Sequence, residues 1–171
     1  NNLSCYDGYV QCLEERKIRE LHILRALDLD YYTISQDMCM KEFAELFASA
    51  GWDCPTEEQV ELAINNSTKS FIVRYREEAV AMIHWLGDYG MHWFMKDFIV
   101  SKAFQGQMMG TLLYRFSENF IKSTLKENWK VCIDLRSAEH KEPFYQSLDF
   151  EIMSEGTMGS GMEKMIASYT D

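Results

Sequence analysis

The sequence lacks the features of membrane and secreted proteins. No apolar run approaches the ~18 residues that a membrane-spanning helix needs, and the first residues lack the charged and then apolar pattern of a secretory signal. The five cysteines do not have the paired spacing of a disulfide framework or a zinc site. We therefore expect a soluble, cytoplasmic protein with free thiols and no metal.

Positive charge is also scarce. The chain has 17 Lys and Arg residues against 27 Asp and Glu residues, which gives a net charge of −10 at pH 7. This balance opposes binding to nucleic-acid phosphates and to anionic membranes, because both repel an acidic surface. We predict no nucleic acid and no membrane as partners. The charge serves solubility in many acidic proteins, and it also favours cationic substrates.

Several familiar catalytic motifs are missing as well. There is no Walker loop, no His-Glu-x-x-His zinc motif and no Gly-x-Ser-x-Gly nucleophile motif. A dinucleotide-binding fold is disfavoured because its three-glycine spacing is absent. The chain does have a hydrophobic content of 47% over 171 residues. That is enough for one packed domain that buries about 70% of its unfolded surface.

Apolar periodicity predicts a mixed domain of helices and strands. Apolar residues between positions 10 and 27 recur at helical spacing, so residues 1–29 are predicted to be an N-terminal helical extension before a domain at 30–171. In that domain we predict strands at 30–35, 70–75, 79–86, 92–100, 130–135, 150–153 and 162–167, and helices at 38–49, 56–64 and 142–148, with a longer helix from the central glycine loop to about 126. Short turns join the three strands between 70 and 100, which favours an antiparallel meander. The predicted fold class is α/β (α+β), with a mixed, mainly antiparallel central sheet flanked by helices.

A two-glycine loop connects the last strand of this meander to the long helix. The segment 97–111 reads DFIVSKAFQGQMMGT, an apolar strand followed by a short loop and a helix start. Unpaired backbone N–H groups at a helix start meet the positive end of the helix dipole, so they can bind a diphosphate without a lysine. Gly106 and Gly110 lie where the backbone must bend or approach a ligand closely.

Two motifs resemble the GNAT superfamily of acetyl-CoA-dependent N-acetyltransferases. The cofactor loop of that family usually reads Gln/Arg-x-x-Gly-x-Gly/Ala, and here Gln105 and Gly110 match its ends while Met108 takes the place of the inner glycine. The segment 143–150, PFYQSLDF, is similar to the family's Phe-Tyr-x-x-x-Gly-Phe signature, with Asp149 in place of the glycine. That glycine normally has φ > 0, which Asp tolerates better than most residues. Segments 130–142 and 158–162 also look like those of bacterial small-amine members.

The resemblance implies an enzyme that moves an acetyl group from acetyl-CoA directly to a primary amine of a small molecule or peptide. It implies that Tyr145 donates a proton to the departing thiolate. It also implies a set of residues that bind acetyl-CoA: Phe98, Ile99, Val100, Gln105, Gly106, Gln107, Met108, Met109, Gly110 and Thr111. The alternative is a noncatalytic acyl-CoA-binding or interaction module, in which Met108 and Asp149 mark an altered loop and helix end.

The sequence leaves the general base, the acceptor pocket and the oligomeric state open. Candidates for the base are His84, His92, Asp88, Asp97, Asp134 and Glu139. A histidine has the best-matched pKa for this task. An aromatic wall for a cationic amine is a further hypothesis, built from Trp52, Trp85, Tyr89, Trp93 and Phe94. GNAT relatives are often homodimers, and the apolar stripe at 10–27 offers one interface, although packing of this stripe against its own domain is the simpler account.

Overall fold

The computed structural model describes residues 31–153. The predicted N-terminal extension at 1–29 and the predicted strand at 162–167 lie outside the described residues. The chain divides into two compact units between Asp134 and Leu135, and each unit is described by itself. Within the described range, no helix combines the length and apolar character that crossing a membrane requires.

The first unit is built on a sheet whose strands follow one another in chain order. The strands are β1 (Tyr32–Ser35), β2 (Lys69–Tyr75), β3 (Glu78–Gly87), β4 (His92–Val100) and β5 (Cys132–Leu135), in the spatial order β1-β2-β3-β4-β5. β1 to β4 pair antiparallel, and for β2, β3 and β4 the short turns between them predicted this. The helices are α1 (Met40–Ser49), α2 (Glu57–Asn66) and α3 (Met109–Thr124). α3 ends two residues before its predicted end.

Local signals determine where the first two helices begin and end. Thr56 caps α2, since its hydroxyl oxygen accepts a hydrogen bond from the Gln59 backbone N–H at 3.4 Å in a capping box. Gly51 follows α1 with φ of 75°, a left-handed conformation that glycine adopts without steric cost. Both boundaries agree with the sequence prediction.

Helices cover both faces of the sheet at its centre. On one face, α1 and α2 bury a core that includes Phe43, Leu46, Val60 and Met82. On the other face, Phe120 of α3 contacts Phe71 of β2 at a ring separation of 5.6 Å. As a result, six consecutive residues of β3, 80–85, are buried. β4 and β5 extend the sheet beside this strand.

The second unit contains a short helix, α4 (Glu142–Gln146). Asp149 adopts φ of 73°, and the Phe150 backbone N–H donates to the Tyr145 carbonyl at 3.2 Å, which closes the helix end. Asp149 therefore has the left-handed conformation expected at the glycine position of the motif. The prediction of a strand at 150–153 is wrong, because these residues show no strand pairing and residue 153 lies in a 3₁₀ turn.

Candidate active site

A β-bulge interrupts β4 just before the glycine loop. Met82 pairs with Ile99, whereas His84 pairs with Lys96, so β4 carries one residue more than β3 across this interval. Asp97 lies in the bulge with φ of 46°, a value that non-glycine residues rarely adopt. Bulges bend a strand and redirect its side chains, and they are frequent beside active sites.

The bulge brings the Asp97 carboxylate to a buried histidine on β3. Oδ2 of Asp97 lies 3.3 Å from Nδ1 of His84, whose side chain is 3% exposed. Nε2 of His84 is buried and has no hydrogen-bond partner among the described residues. The imidazole ring lies 5.4 Å from the Phe43 ring. The carboxylate orients the imidazole, and the second nitrogen is left without a protein partner, which suits a proton acceptor.

The glycine loop has two left-handed backbone positions. After a 3₁₀ turn at Lys102–Phe104, Gly106 has φ of 73° and Met108 has φ of 64° and ψ of 7°. For a residue with a Cβ atom this conformation costs roughly 1–2 kcal/mol, which explains why the family motif has glycine at the position of Met108. Met108 keeps the backbone conformation that the motif requires without having the glycine.

Two glutamine side chains brace this loop from within. The Gln105 amide donates to the Val100 carbonyl at 2.8 Å, and the Gln107 amide donates to the Ala103 carbonyl at 2.9 Å. Both glutamines were predicted to contact the cofactor. Their side-chain N–H groups hold the loop against its own backbone.

The start of α3 presents unpaired main-chain donors next to this loop. The Leu112 N–H donates to the Met108 carbonyl at 2.9 Å as the first α-helical bond, so the N–H groups of Met109, Gly110 and Thr111 precede the ladder. Met109 is buried as a whole residue, with 1% exposure, whereas Gly110 and Thr111 are half-buried, so the accessible donors are those of Gly110 and Thr111. Together with the positive end of the helix dipole, main-chain donors in this position can bind an anion.

The last three residues of β4 before the loop differ in how exposed their side chains are to a ligand. Ile99 belongs to the core between the sheet and helices α1 and α2, and it is 4% exposed. Its side chain cannot line a ligand, although its main chain can contact one. Phe98 and Val100 are half-buried. All the predicted cofactor residues, from Phe98 to Thr111, thus form one continuous strand, loop and helix start.

Tyr145 lies on α4 in the second unit and is half-buried. Burial raises the pKa of its phenol to about 12. Its ring contacts the rings of Phe144 and Phe150, at centroid separations of 5.2 and 5.9 Å. At neutral pH the hydroxyl is therefore protonated and can donate.

Asp88, one of the candidates for the general base, stabilises the turn before β4. Oδ1 of Asp88 accepts hydrogen bonds from the backbone N–H groups of Gly90, Met91 and His92, at 2.8, 2.7 and 3.0 Å. These bonds, the one from His92 contributing most, lower the pKa of Asp88 to about 2. Its carboxylate oxygen is thus used to hold the turn before β4.

The remaining candidates have other surroundings. Glu139 is 88% exposed and lies in the second unit beside His140. His92 and Asp134 lie on β4 and β5 and form part of another cluster, described below. Trp85 and Trp93 are completely buried, which excludes them from an aromatic wall for a substrate because they pack inside the protein.

A family model described as an acetyltransferase (GNAT) domain matches residues 35–165, about three quarters of the chain. The search of curated proteins found no significant match.

Solved structures support the same fold. A protein of unknown function from meticillin-resistant Staphylococcus aureus aligns with a TM-score of 0.67 at 21% identity, over 78% of this chain and 99% of that one. A GNAT family acetyltransferase from Streptococcus pneumoniae aligns with a TM-score of 0.64 at 23% identity, over 80% and 98%. An aminoglycoside 6′-N-acetyltransferase complexed with coenzyme A aligns with a TM-score of 0.57 at 17% identity, over 70% and 85%. At these identities the likeness establishes the fold.

Proposed function

The chain belongs to the GNAT acetyltransferase family, and from this premise we propose that it transfers an acetyl group from acetyl-CoA directly to a primary amine of a small molecule or peptide. The observation that carries the proposal is the loop before α3, where Gly106 and Met108 are left-handed and two accessible main-chain donors follow. The coenzyme A bound to the structurally similar aminoglycoside acetyltransferase supports an acyl-CoA as the donor.

In this proposal the loop and the start of α3 hold the diphosphate of acetyl-CoA. The donors are the N–H groups of Gly110 and Thr111, together with main-chain groups of the loop. The glutamine side chains keep the loop in shape. Main-chain binding explains how the motif can tolerate Met108: the ligand contacts the backbone, and the left-handed conformation is retained.

Direct transfer needs a neutral amine, because a protonated amine has no free electron pair. We assign the removal of its proton to Nε2 of His84, through one water molecule. The observations that favour His84 over the other candidates are its orientation by Asp97 and its second nitrogen, which has no partner among the described residues; because the imidazole is buried, the proton reaches it through a water molecule. Asp97 then stabilises the imidazolium that forms.

Collapse of the tetrahedral intermediate expels the coenzyme A thiolate, which needs a proton. We assign the proton to the hydroxyl of Tyr145, which burial keeps protonated well above neutral pH. A thiol pKa near ~8.5 makes the thiolate a fair leaving group, so this acid accelerates the reaction without being indispensable. The net charge of −10 favours an acceptor that arrives as a cation.

The proposal is tested by following thiol release from acetyl-CoA with a panel of primary amines and matched alcohols. Transfer to amines predicts thiol release that depends on the amine and an equal amount of acetylated amine by mass spectrometry. Acetylation of the alcohols alone would overturn the assignment of an amine acceptor. Binding of acetyl-CoA with no transfer to any amine would favour the noncatalytic module.

A further inference from the structure

Three side chains that commonly bind transition metals meet at the start of β4 and β5. His92 is the first residue of β4, Cys132 is the first residue of β5, and Asp134 follows two positions later. A nitrogen of His92, the sulfur of Cys132 and a carboxylate oxygen of Asp134 all lie within 4.8 Å of one another. Residues two apart on a strand share a face, and the Cys132 N–H donates to the Met91 carbonyl at 2.8 Å, which joins the two strands here.

The separations are close to those of a tetrahedral zinc site. Zinc bonds of ~2.3 Å to sulfur and ~2.0 Å to nitrogen or oxygen place neighbouring ligand atoms about 3.5 Å apart. Sγ of Cys132 already lies 3.5 Å from Oδ1 of Asp134. His92 and Cys132 are exposed, so side-chain rotation can close the remaining gap to the imidazole without moving the strands.

We propose that His92, Cys132 and Asp134 bind one Zn²⁺ ion that connects β4 to β5. A thiolate and an imidazole select zinc or a similar transition metal over Mg²⁺ and Ca²⁺, which prefer oxygen ligands. Three protein ligands leave the fourth position to water. On binding, a zinc–sulfur bond forms and the Cys132 thiol releases its proton to solvent. This site replaces the sequence-based expectation of no metal.

The metal site is separate from the proposed acyl-transfer centre. His92 lies five residues before Asp97 on β4, a distance of about 16 Å along an extended strand. An ion at His92 therefore cannot touch the His84–Asp97 pair. The ion would stabilise the pairing of β4 with β5. Its binding does not depend on the proposed acetyl transfer.

The experiment is a titration of the full-length chain, first freed of metal with a chelator, with Co²⁺ and then Zn²⁺. We expect one equivalent of Co²⁺ to produce a thiolate-to-cobalt charge-transfer band, and Zn²⁺ to displace it. Cys132→Ser should abolish the band, and His92→Gln should weaken Co²⁺ binding at least ~10-fold, since even residues outside the ligand set commonly contribute that much. Cys54→Ser is the matched control, because it removes another exposed thiol and should leave the band unchanged.

Calorimetry in buffers of different ionisation enthalpy should show release of about one proton per Zn²⁺ bound in the unmodified chain. The proposal is overturned if no charge-transfer band appears when Co²⁺ is added to the metal-free protein. It is equally overturned if the band persists in folded Cys132→Ser protein or disappears in Cys54→Ser protein. Circular dichroism establishes that each variant is folded, and Asp134→Asn provides a second ligand change that should weaken Zn²⁺ binding.

Discussion

Replacing Tyr145 with phenylalanine tests the proposed acid in the transfer reaction. The change removes one hydroxyl and keeps the ring contacts with Phe144 and Phe150. Burial raises the pKa of Tyr145 to about 12. At neutral pH, therefore, fewer than ~1 in 10⁴ molecules carry the phenolate, and essentially every enzyme molecule has the proton to give.

General acid catalysis typically contributes ~10²–10⁴-fold, and the thiolate is a fair leaving group, so we expect the lower end of this range. A fall of ~10²-fold corresponds to about 2.7 kcal/mol of transition-state stabilisation. Acetyl-CoA affinity should change little, because the diphosphate is held elsewhere. Since the pKa of Tyr145 is about 12, its deprotonation should not lower the rate of acetyl transfer as the pH rises to about 10.

Single-turnover acetyl transfer is the appropriate assay for Tyr145→Phe, because product release can hide a slower chemical step. Tyr31→Phe is the matched control: it removes a phenol from an exposed residue whose ring contacts Arg76, and its rate should equal that of the unmodified protein. An unchanged single-turnover rate in folded Tyr145→Phe protein would refute the assignment. Equal losses in both variants would also refute it.

Three further predictions concern the base, the core and the turn. His84→Gln should lower single-turnover transfer by ~10²-fold at unchanged acetyl-CoA affinity, and an unchanged rate would exclude His84 as the base. Gly87→Ala places a Cβ atom 2.4 Å from the buried Trp93 ring and should cost about 1–3 kcal/mol of unfolding free energy in denaturant titrations, whereas Gly90→Ala meets nothing closer than 3.8 Å and should be nearly neutral; equal stabilities would contradict the packing. The folded-state pKa of Asp88, about 2, lies below its unfolded value of ~3.9, so its stabilisation is complete above about pH 4 and is lost as the pH falls toward 2. Asp88→Asn should flatten the dependence of Tm on pH in that interval, and identical slopes would be the contrary result.

Features that depend on neighbouring residues were predictable from the sequence. The Thr56 capping box, the left-handed Gly51 after α1 and the meander of β2 to β4 all arise from signals within a few residues. The loop before α3 was located in the same way. The left-handed conformation at Asp149 followed from its place in the family signature, since the backbone there requires φ > 0.

Features that depend on the exact register between strands were not predictable. The bulge at Asp97 arises from a shift in register against β3, and this shift alone brings the carboxylate to His84. Nothing in the separate surroundings of these two residues indicates the pair. The cluster around Cys132 was missed for the same reason: its histidine comes from β4, forty positions earlier in the sequence.

The burial of Trp85 and Trp93 was not predicted from the sequence either. An alternating strand pattern leaves one face open to substrate, which is why Trp85 and Trp93 entered the hypothesis of an aromatic wall. Helices cover both faces of the central strands, however, and both indoles are buried. The aromatic-wall hypothesis failed for these two residues because helix placement is a tertiary property that the residues of one strand do not encode.

The most direct test of the central claim is calorimetric binding of acetyl-CoA to Gly110→Trp protein. The indole would lie at the first turn of α3, where the Gly110 N–H faces the proposed diphosphate. Asn119→Trp is the matched control, because it adds the same ring at an exposed position farther along the helix. We expect affinity to fall by at least ~10-fold in Gly110→Trp, a loss of about 1.4 kcal/mol or more, and to be unchanged in Asn119→Trp. Undiminished affinity in folded Gly110→Trp protein would contradict the placement of the cofactor at this loop.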